Sequence, residues 1–206
     1  LHLLEGGRVV QAALDAVGLA EGHHRGVIRV RGGEPGDLRL GRLGVAAGLG
    51  TRMGALTADR PKPLLPVAGR PLVDRALDLA REAGAAPVVV NLHWKAAMLR
   101  DHLRGAGVLF SDESDRLLET GGGLRAALPL LGPGPVFTLN ADAAWTGPNP
   151  LRSLDAAWDA GMEALLLLVP RGRARGHAGA GDFALGADGR LARGGPWVYS
   201  GAQIVR

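Results

Sequence analysis

PLVDRALDLAREAG and AAPVVVNL, residues 71–84 and 85–92, follow one another and decide the fold class. Pro71 suits the first position of a helix, where its missing N–H would have had no intrahelical partner. Leu72, Val73, Ala76, Leu77 and Ala80 then recur at helical spacing, and Gly84 supplies the stop. Pro87–Leu92 reads as a short buried strand. Downstream, Trp94–Leu103 carries Ala97, Met98 and Leu103 at helical spacing, and Val108–Ser111 reads as a strand. Gly123–Leu128 predicts a helix that Pro129 ends, and Pro135–Leu139 a further strand. Leu151–Ala160 predicts another helix and Glu163–Val169 the most apolar strand of the chain. Strands alternating with helices of about ten residues predict an α/β layer structure with a mostly parallel sheet. After Val169 the rhythm changes. Phe183–Leu185 and Arg190–Ala192 flank Gly-Ala-Asp-Gly as a hairpin, and Trp197–Arg206 reads as a strand.

At 206 residues a single core is expected. The absence of cysteine excludes a disulfide scaffold, a thiolate metal site and a cysteine nucleophile. The longest apolar run, Ala164–Val169, is far too short to span a bilayer, so no membrane partner is expected. The net charge of +4 comes from basic and acidic residues that alternate rather than cluster, so no nucleic-acid partner is expected either; an Arg-rich RNA-binding protein has only the pI of about 10.5 in its favour. Lys62 and Lys95 are the only lysines among the basic residues. The start lacks the basic and apolar regions of a signal peptide, which predicts a cytoplasmic protein. Leu1 in place of an initiator methionine suggests a fragment or a displaced start. Residues 1–43 are left unassigned, as a non-native or disordered segment: Gln11–Ala20 has the pattern of a short helix, and Glu21–Gly44 is a Gly and Arg mixture.

Just upstream of the opening stretch lies AAGLGTRMGALTADRPKPLLPVAGRP, residues 46–71. Gly48 and Gly50 let the backbone turn sharply and bring N–H groups to an anion. Thr51 adds a hydroxyl and Arg52 a planar fork suited to phosphate oxygens. Lys62 stands between Pro61 and Pro63, whose fixed φ stiffens the backbone that carries the ammonium group. Taken singly, Gly-x-Gly is a turn and Pro-Lys-Pro a solvated loop; together they form a phosphate clamp that matches neither the dinucleotide fingerprint nor the Walker A pattern. Asn140 and Asp142 follow the strand Pro135–Leu139, at the carboxyl end where open α/β sheets bind ligands. An aspartate there holds Mg²⁺ through oxygen or caps a turn. Thr120 is placed as N-cap of the helix after it. Asn91 and His93 end a strand on the same rim, as a hydrogen-bonded pair or as substrate contacts. His23, His24 and His177 lack partners at metal-ligand spacing, and Trp145 and Trp158 read as packing.

Gly48-Leu49-Gly50-Thr51-Arg52, then Leu56-Thr57, then Pro61-Lys62-Pro63 resemble the opening motif of the sugar-phosphate nucleotidyltransferases. The resemblance runs on through Glu119–Gly123, Asn140-Ala141-Asp142, Gly181-Asp182-Phe183 and Ser200-Gly201, covering about residues 44–206. Within the family it is most similar to the N-acetylmuramate α-1-phosphate uridylyltransferases of bacterial cell-wall recycling. It implies a Rossmann-like three-layer nucleotidyltransferase domain at residues 44–206 whose C-terminal part is missing, Mg²⁺ as cofactor, and a nucleoside triphosphate and a sugar 1-phosphate as substrates. Arg52 and Lys62 are then catalytic. Ala46, Ala47, Gly48, Gly50, Thr51, Arg52, Lys62, Gly121 and Gly122 bind the nucleotide, Asn140 and Asp182 the sugar substrate, and Asp142 the metal. The implied reaction is uridylyl transfer from UTP. Guanylyl transfer to mannose 1-phosphate, or a noncatalytic nucleotide-binding module of the same fold, are the alternatives. Two departures stand out. LRLGRLG, residues 38–44, interleaves arginines where the family has an apolar strand, which a buried central strand would not accommodate. The family also continues past Arg206 with a second metal-binding aspartate, which implies weak or no catalysis by residues 1–206 alone.

Overall fold

The computed structural model describes residues 2–4, 42–46, 55–115, 118–145, 147–159, 161–174, 177–187 and 189–206. The chain passes through β1 (His2–Leu4), β2 (Arg42–Ala46), the two-residue strands β3 (Pro66–Val67) and β4 (Arg70–Pro71), α1 (Leu72–Ala83), β5 (Val88–Leu92), α2 (Ala96–His102), β6 (Leu109–Asp112), α3 (Glu119–Leu131) and β7 (Val136–Asn140). It continues through β8 (Ala143–Trp145), α4 (Pro150–Ala157), β9 (Ala164–Pro170), β10 (Phe183–Leu185), β11 (Leu191–Arg193) and β12 (Trp197–Val205). Two compact units result: Gly41–Asp142, and Ala143–Arg206 with β1.

The Gly41–Asp142 unit is built on β7, β2, β5 and β6, side by side in that order and all parallel. Leu43 of β2 lies between Val88 and Phe137, and Val45 between Val90 and Leu139. Leu43, Val45, Val89, Val90, Leu92, Phe137 and Leu139 are fully buried, as strands covered on both faces must be. Helix α3 packs on β2, β5 and β6, and its Ala127 and Leu131 join Val89 and Val136 in one cluster. Helix α1 buries Leu72, Val73, Ala76, Leu77, Ala80 and Ala83, the stripe expected from the opening stretch, and Gly84 closes it at φ +72°.

From β2 the chain adds β5 and then β6 on one side, and β7 returns to the other. That reversal puts a topological switch point at the carboxyl ends of β2 and β7, where such sheets hold ligands.

Three expectations are corrected. The arginine-laced segment does supply a central strand, because β2 begins only at Arg42 and the residues that enter the core are Leu43, Gly44 and Val45. Pro129 does not end its helix. It occupies the last turn of α3, where only Leu130 and Leu131 follow, and the buried Leu131 anchors that turn. Thr120 is not the N-cap: α3 starts at Glu119, so Thr120 and Gly121–Gly123 lie in its first turns.

In the second unit β1 and β8 form a parallel pair, while β9, β12, β10 and β11 make an antiparallel sheet in that order. Its hairpin β10–β11 is the one expected around Gly-Ala-Asp-Gly. Helix α4 is capped by Asn149, whose side-chain oxygen accepts from the N–H groups of Leu151 and Arg152. Gly181, just before β10, has φ +125°, and a Cβ there would lie 2.1 Å from the Gly195 carbonyl oxygen. Gly181→Ala should therefore cost about 3 kcal/mol through backbone strain and overlap. A urea midpoint unchanged from wild type would contradict this. Among the described residues no helix is long and apolar enough to cross a membrane.

Candidate active site

The backbone register brings Ala46, the last residue of β2, beside Asn140, the last of β7. Ala47, Gly48, Gly50, Thr51 and Arg52 lie outside the described residues, so the described part of the clamp begins at Ala46 and resumes with Lys62. Past β7 the chain turns at Ala141 and Asp142. Among described residues other than glycine only Ala68 and Lys95 have positive φ, so Ala141 fits its turn without strain, and it is buried.

Lys62 opens a single 3₁₀ turn, Lys62–Leu64, with Pro61 before it in extended conformation at φ −71°. Pro61 and Pro63 are buried, and the turn is closed by Leu64 N–H on the Pro61 carbonyl at 2.9 Å. Leu72 N–H donates to the Leu65 carbonyl at 3.1 Å, tying the turn to the start of α1. The stiffness expected of Pro-Lys-Pro is thus realised by burial of both prolines. From this base Lys62 Nζ donates to Asp142 Oδ2 at 2.6 Å, across 80 residues of sequence. The side chains are 19% and 34% exposed, so the pair is shielded yet open to a ligand. A charge-assisted bond of this length is among the stronger polar contacts a protein makes. The two groups assigned to the triphosphate and to the metal therefore meet directly.

Among the described residues no group of three or more His, Cys, Asp or Glu side chains could hold a metal. Asp142 offers one hard carboxylate, partly exposed, on the ligand rim. That donor set suits Mg²⁺ arriving with phosphates, since this ion commonly takes one or two carboxylates and completes its octahedron with phosphate oxygens and water.

Gly121 and Gly122 sit in the first turn of α3. A Cβ on Gly122 would lie 2.9 Å from Leu118 Cβ, so the helix's own packing demands glycine there. In front of Gly121 no described atom lies within 4 Å of such a Cβ, which leaves its backbone approachable. Asn91 and His93 each bond to one residue that the sequence reading passed over, Glu113. Asn91 Nδ2 donates to Glu113 Oε1, and His93 Nδ1 lies 2.7 Å from the Glu113 carbonyl oxygen. The turn that follows, at Ser114, is set by Asp112, which accepts from the Ser114 amide at 2.9 Å and from Arg100 at 2.7 Å. The Ser114 hydroxyl and amide, with Arg100 adding to them, hold the Asp112 carboxyl below the usual carboxylate range. The available signal for Glu113 was an acidic residue two positions past a predicted strand, Val108–Ser111.

Asp182 belongs to the other unit. There its Oδ2 accepts from Tyr199 N–H at 2.8 Å, while its own N–H donates to the Trp197 carbonyl at 2.7 Å. Its side chain thus pins the β10 hairpin to β12, and a sugar contact rests on the resemblance alone.

A parallel sheet with a switch point, and a braced lysine bonded there to an acidic residue, define an α/β domain with a charged site at the carboxyl ends of its strands. Residues 45–194 match the MobA-like NTP transferase domain, and the chain belongs to that family. It is 41% identical over 177 residues to the N-acetylmuramate α-1-phosphate uridylyltransferase of Caulobacter vibrioides, covering 79% of this chain and 73% of that protein. The enzyme of the same name from Neisseria meningitidis serogroup B is 42% identical over 103 residues, covering 48% of this chain and 45% of its own. Among solved structures, HddC from Yersinia pseudotuberculosis superposes with a TM-score of 0.62 at 20% identity, over 80% of this chain and 76% of that one. At that identity the likeness speaks for the fold, and it bears out the Rossmann-like α/β class.

Proposed function

We propose that the chain transfers a uridylyl group from UTP to N-acetylmuramate α-1-phosphate, giving the UDP-sugar and pyrophosphate, as a cytoplasmic step of cell-wall sugar recycling carried by residues 44–206. The observation that carries this reading is the Lys62–Asp142 pair on the carboxyl rim of the sheet, in a chain 41% identical to an enzyme of that name.

An oxygen of the sugar phosphate attacks the α-phosphorus; that P–O bond forms as the bond to the β-phosphate breaks, and pyrophosphate leaves with the electron pair. The nucleophile is already an anion, so neither a general base nor a covalent enzyme intermediate is required. The barrier is the meeting of two polyanions in line, which positioning and charge neutralisation lower. Lys62 has three donors and can keep one on Asp142 while turning others to phosphate oxygens. Arg52 adds a planar fork, and Gly48–Thr51 supply backbone donors. Asn140 is assigned to the sugar phosphate, and Gly121, with Gly122 behind it, lets the nucleotide approach the backbone. Asp142 would hold Mg²⁺, which when bound offsets the triphosphate charge. No nucleic acid or membrane enters this reading.

Pyrophosphate release measured for UTP, GTP, CTP and ATP against muramyl, glucosyl and mannosyl phosphates tests the assignment, with UTP binding followed in parallel. The largest kcat/KM is expected for UTP with N-acetylmuramate α-1-phosphate. Preference for GTP with mannose 1-phosphate would replace it with guanylyl transfer, and UTP binding without turnover would make the chain a noncatalytic module.

A further inference from the structure

We infer that Glu113, gripped by Asn91, is a positioning residue that sets the first turns of α3 for nucleotide binding. This rests on the reading above in which Gly121 and Gly122 face the nucleotide.

Strands β5 and β6 are in register with Asn91 beside Ser111 and Leu92 beside Asp112. Glu113 extends the ladder by one residue, its N–H donating to the Leu92 carbonyl at 2.7 Å. The His93 ring then takes the Glu113 carbonyl, so the Glu113 backbone is held on both sides by the end of β5. Its side chain runs inward. Glu113 is 7% exposed and Asn91 9%, and the two N–H groups of Asn91 divide between Glu113 Oε1 and the Gly123 carbonyl, the latter at 3.0 Å. One amide thereby links the end of a strand to the second turn of α3.

The carboxylate also explains the third glycine of Glu-Thr-Gly-Gly-Gly. A Cβ on Gly123 would lie 2.6 Å from Glu113 Oε1 and 3.1 Å from Asn91 Nδ2, so the bracket presses directly on the helix backbone. Gly121, with no described atom within 4 Å of where its Cβ would lie, is two residues away in the same helix. None of the ion pairs among the described residues includes Glu113. Burying a carboxylate is costly where an apolar side chain of similar volume would serve packing as well or better. What the carboxylate adds is direction: it spends one donor of Asn91 and leaves the other aimed at Gly123.

The test uses Glu113→Ala, Glu113→Gln and Asn91→Ala in the whole chain. Losing a buried hydrogen bond to a charged group should raise KM for UTP about tenfold in Glu113→Ala and Asn91→Ala, with KM for the sugar phosphate and kcat changed by less than about twofold. Glu113→Gln should stay near wild type, because its carbonyl oxygen still accepts from Asn91. Hydrogen exchange over residues 119–125 of the nucleotide-free protein should quicken in the two alanine variants and not in Glu113→Gln. This second measurement needs no turnover, so failure of the uridylyltransferase reading and failure of the bracket are told apart. Wild-type exchange in the alanine variants overturns the inference, as does Glu113→Gln behaving like Glu113→Ala, or both KM values rising together. If Glu113→Ala does not fold, Gly123→Ala, whose methyl group collides with Oε1, must give the same UTP-selective rise, and an unchanged KM there also overturns it.

Discussion

Lys62→Ala lowers the rate of pyrophosphate release from UTP by about a hundredfold or more, the loss expected when one preorganised donor is removed from developing charge. The protein should remain folded. Asp142, about a third exposed, can be hydrated when its partner leaves, so the cost in stability stays within about 2 kcal/mol. Lys62→Arg should not restore the rate, because a planar guanidinium on the same braced turn cannot place a compact charge between Asp142 and a phosphate. The reading fails at this point if Lys62→Ala is folded and turns over at the wild-type rate.

Asp142→Asn is expected to lower turnover by about a thousandfold and to move activation by Mg²⁺ to higher concentrations, since a neutral amide is a poor ligand for a hard divalent cation. The side-chain oxygen of asparagine still accepts from Lys62, so the lysine keeps its place and the experiment isolates the carboxylate's charge. The two substitutions touch one interaction, so the double variant Lys62→Ala/Asp142→Asn should lose much less than the product of the single losses. A Mg²⁺ titration of Asp142→Asn that overlays the wild-type curve would remove Asp142 from the metal.

Much of this was legible locally. The helix Leu72–Ala83 and its αL glycine, the strands Val88–Leu92 and Val136–Asn140, and the hairpin of Phe183–Leu185 with Leu191–Arg193 all follow from short-range periodicity and turn chemistry. Where local signs misled, long-range packing had outweighed them. The arginines before Leu43 argued against a central strand until the pairing of β2 with β5 and β7 fixed where that strand begins. Pro129 argued for a helix end, but burial of Leu131 against Val89 and Val136 carries the helix past it.

The site divides in the same way. Residue chemistry set Lys62 beside a Gly-rich turn as a phosphate clamp and put Asn140 and Asp142 on the rim after a strand, while the family resemblance gave the last two their roles. That Lys62 and Asp142 touch, that Asn91 reaches Glu113, and that Glu113 Oε1 lies where a side chain on Gly123 would begin were decided only by the tertiary structure. Composition and spacing record what a segment prefers within a few residues. Contacts spanning 22, 32 and 80 positions exist only once the parallel strands have chosen their neighbours and their register.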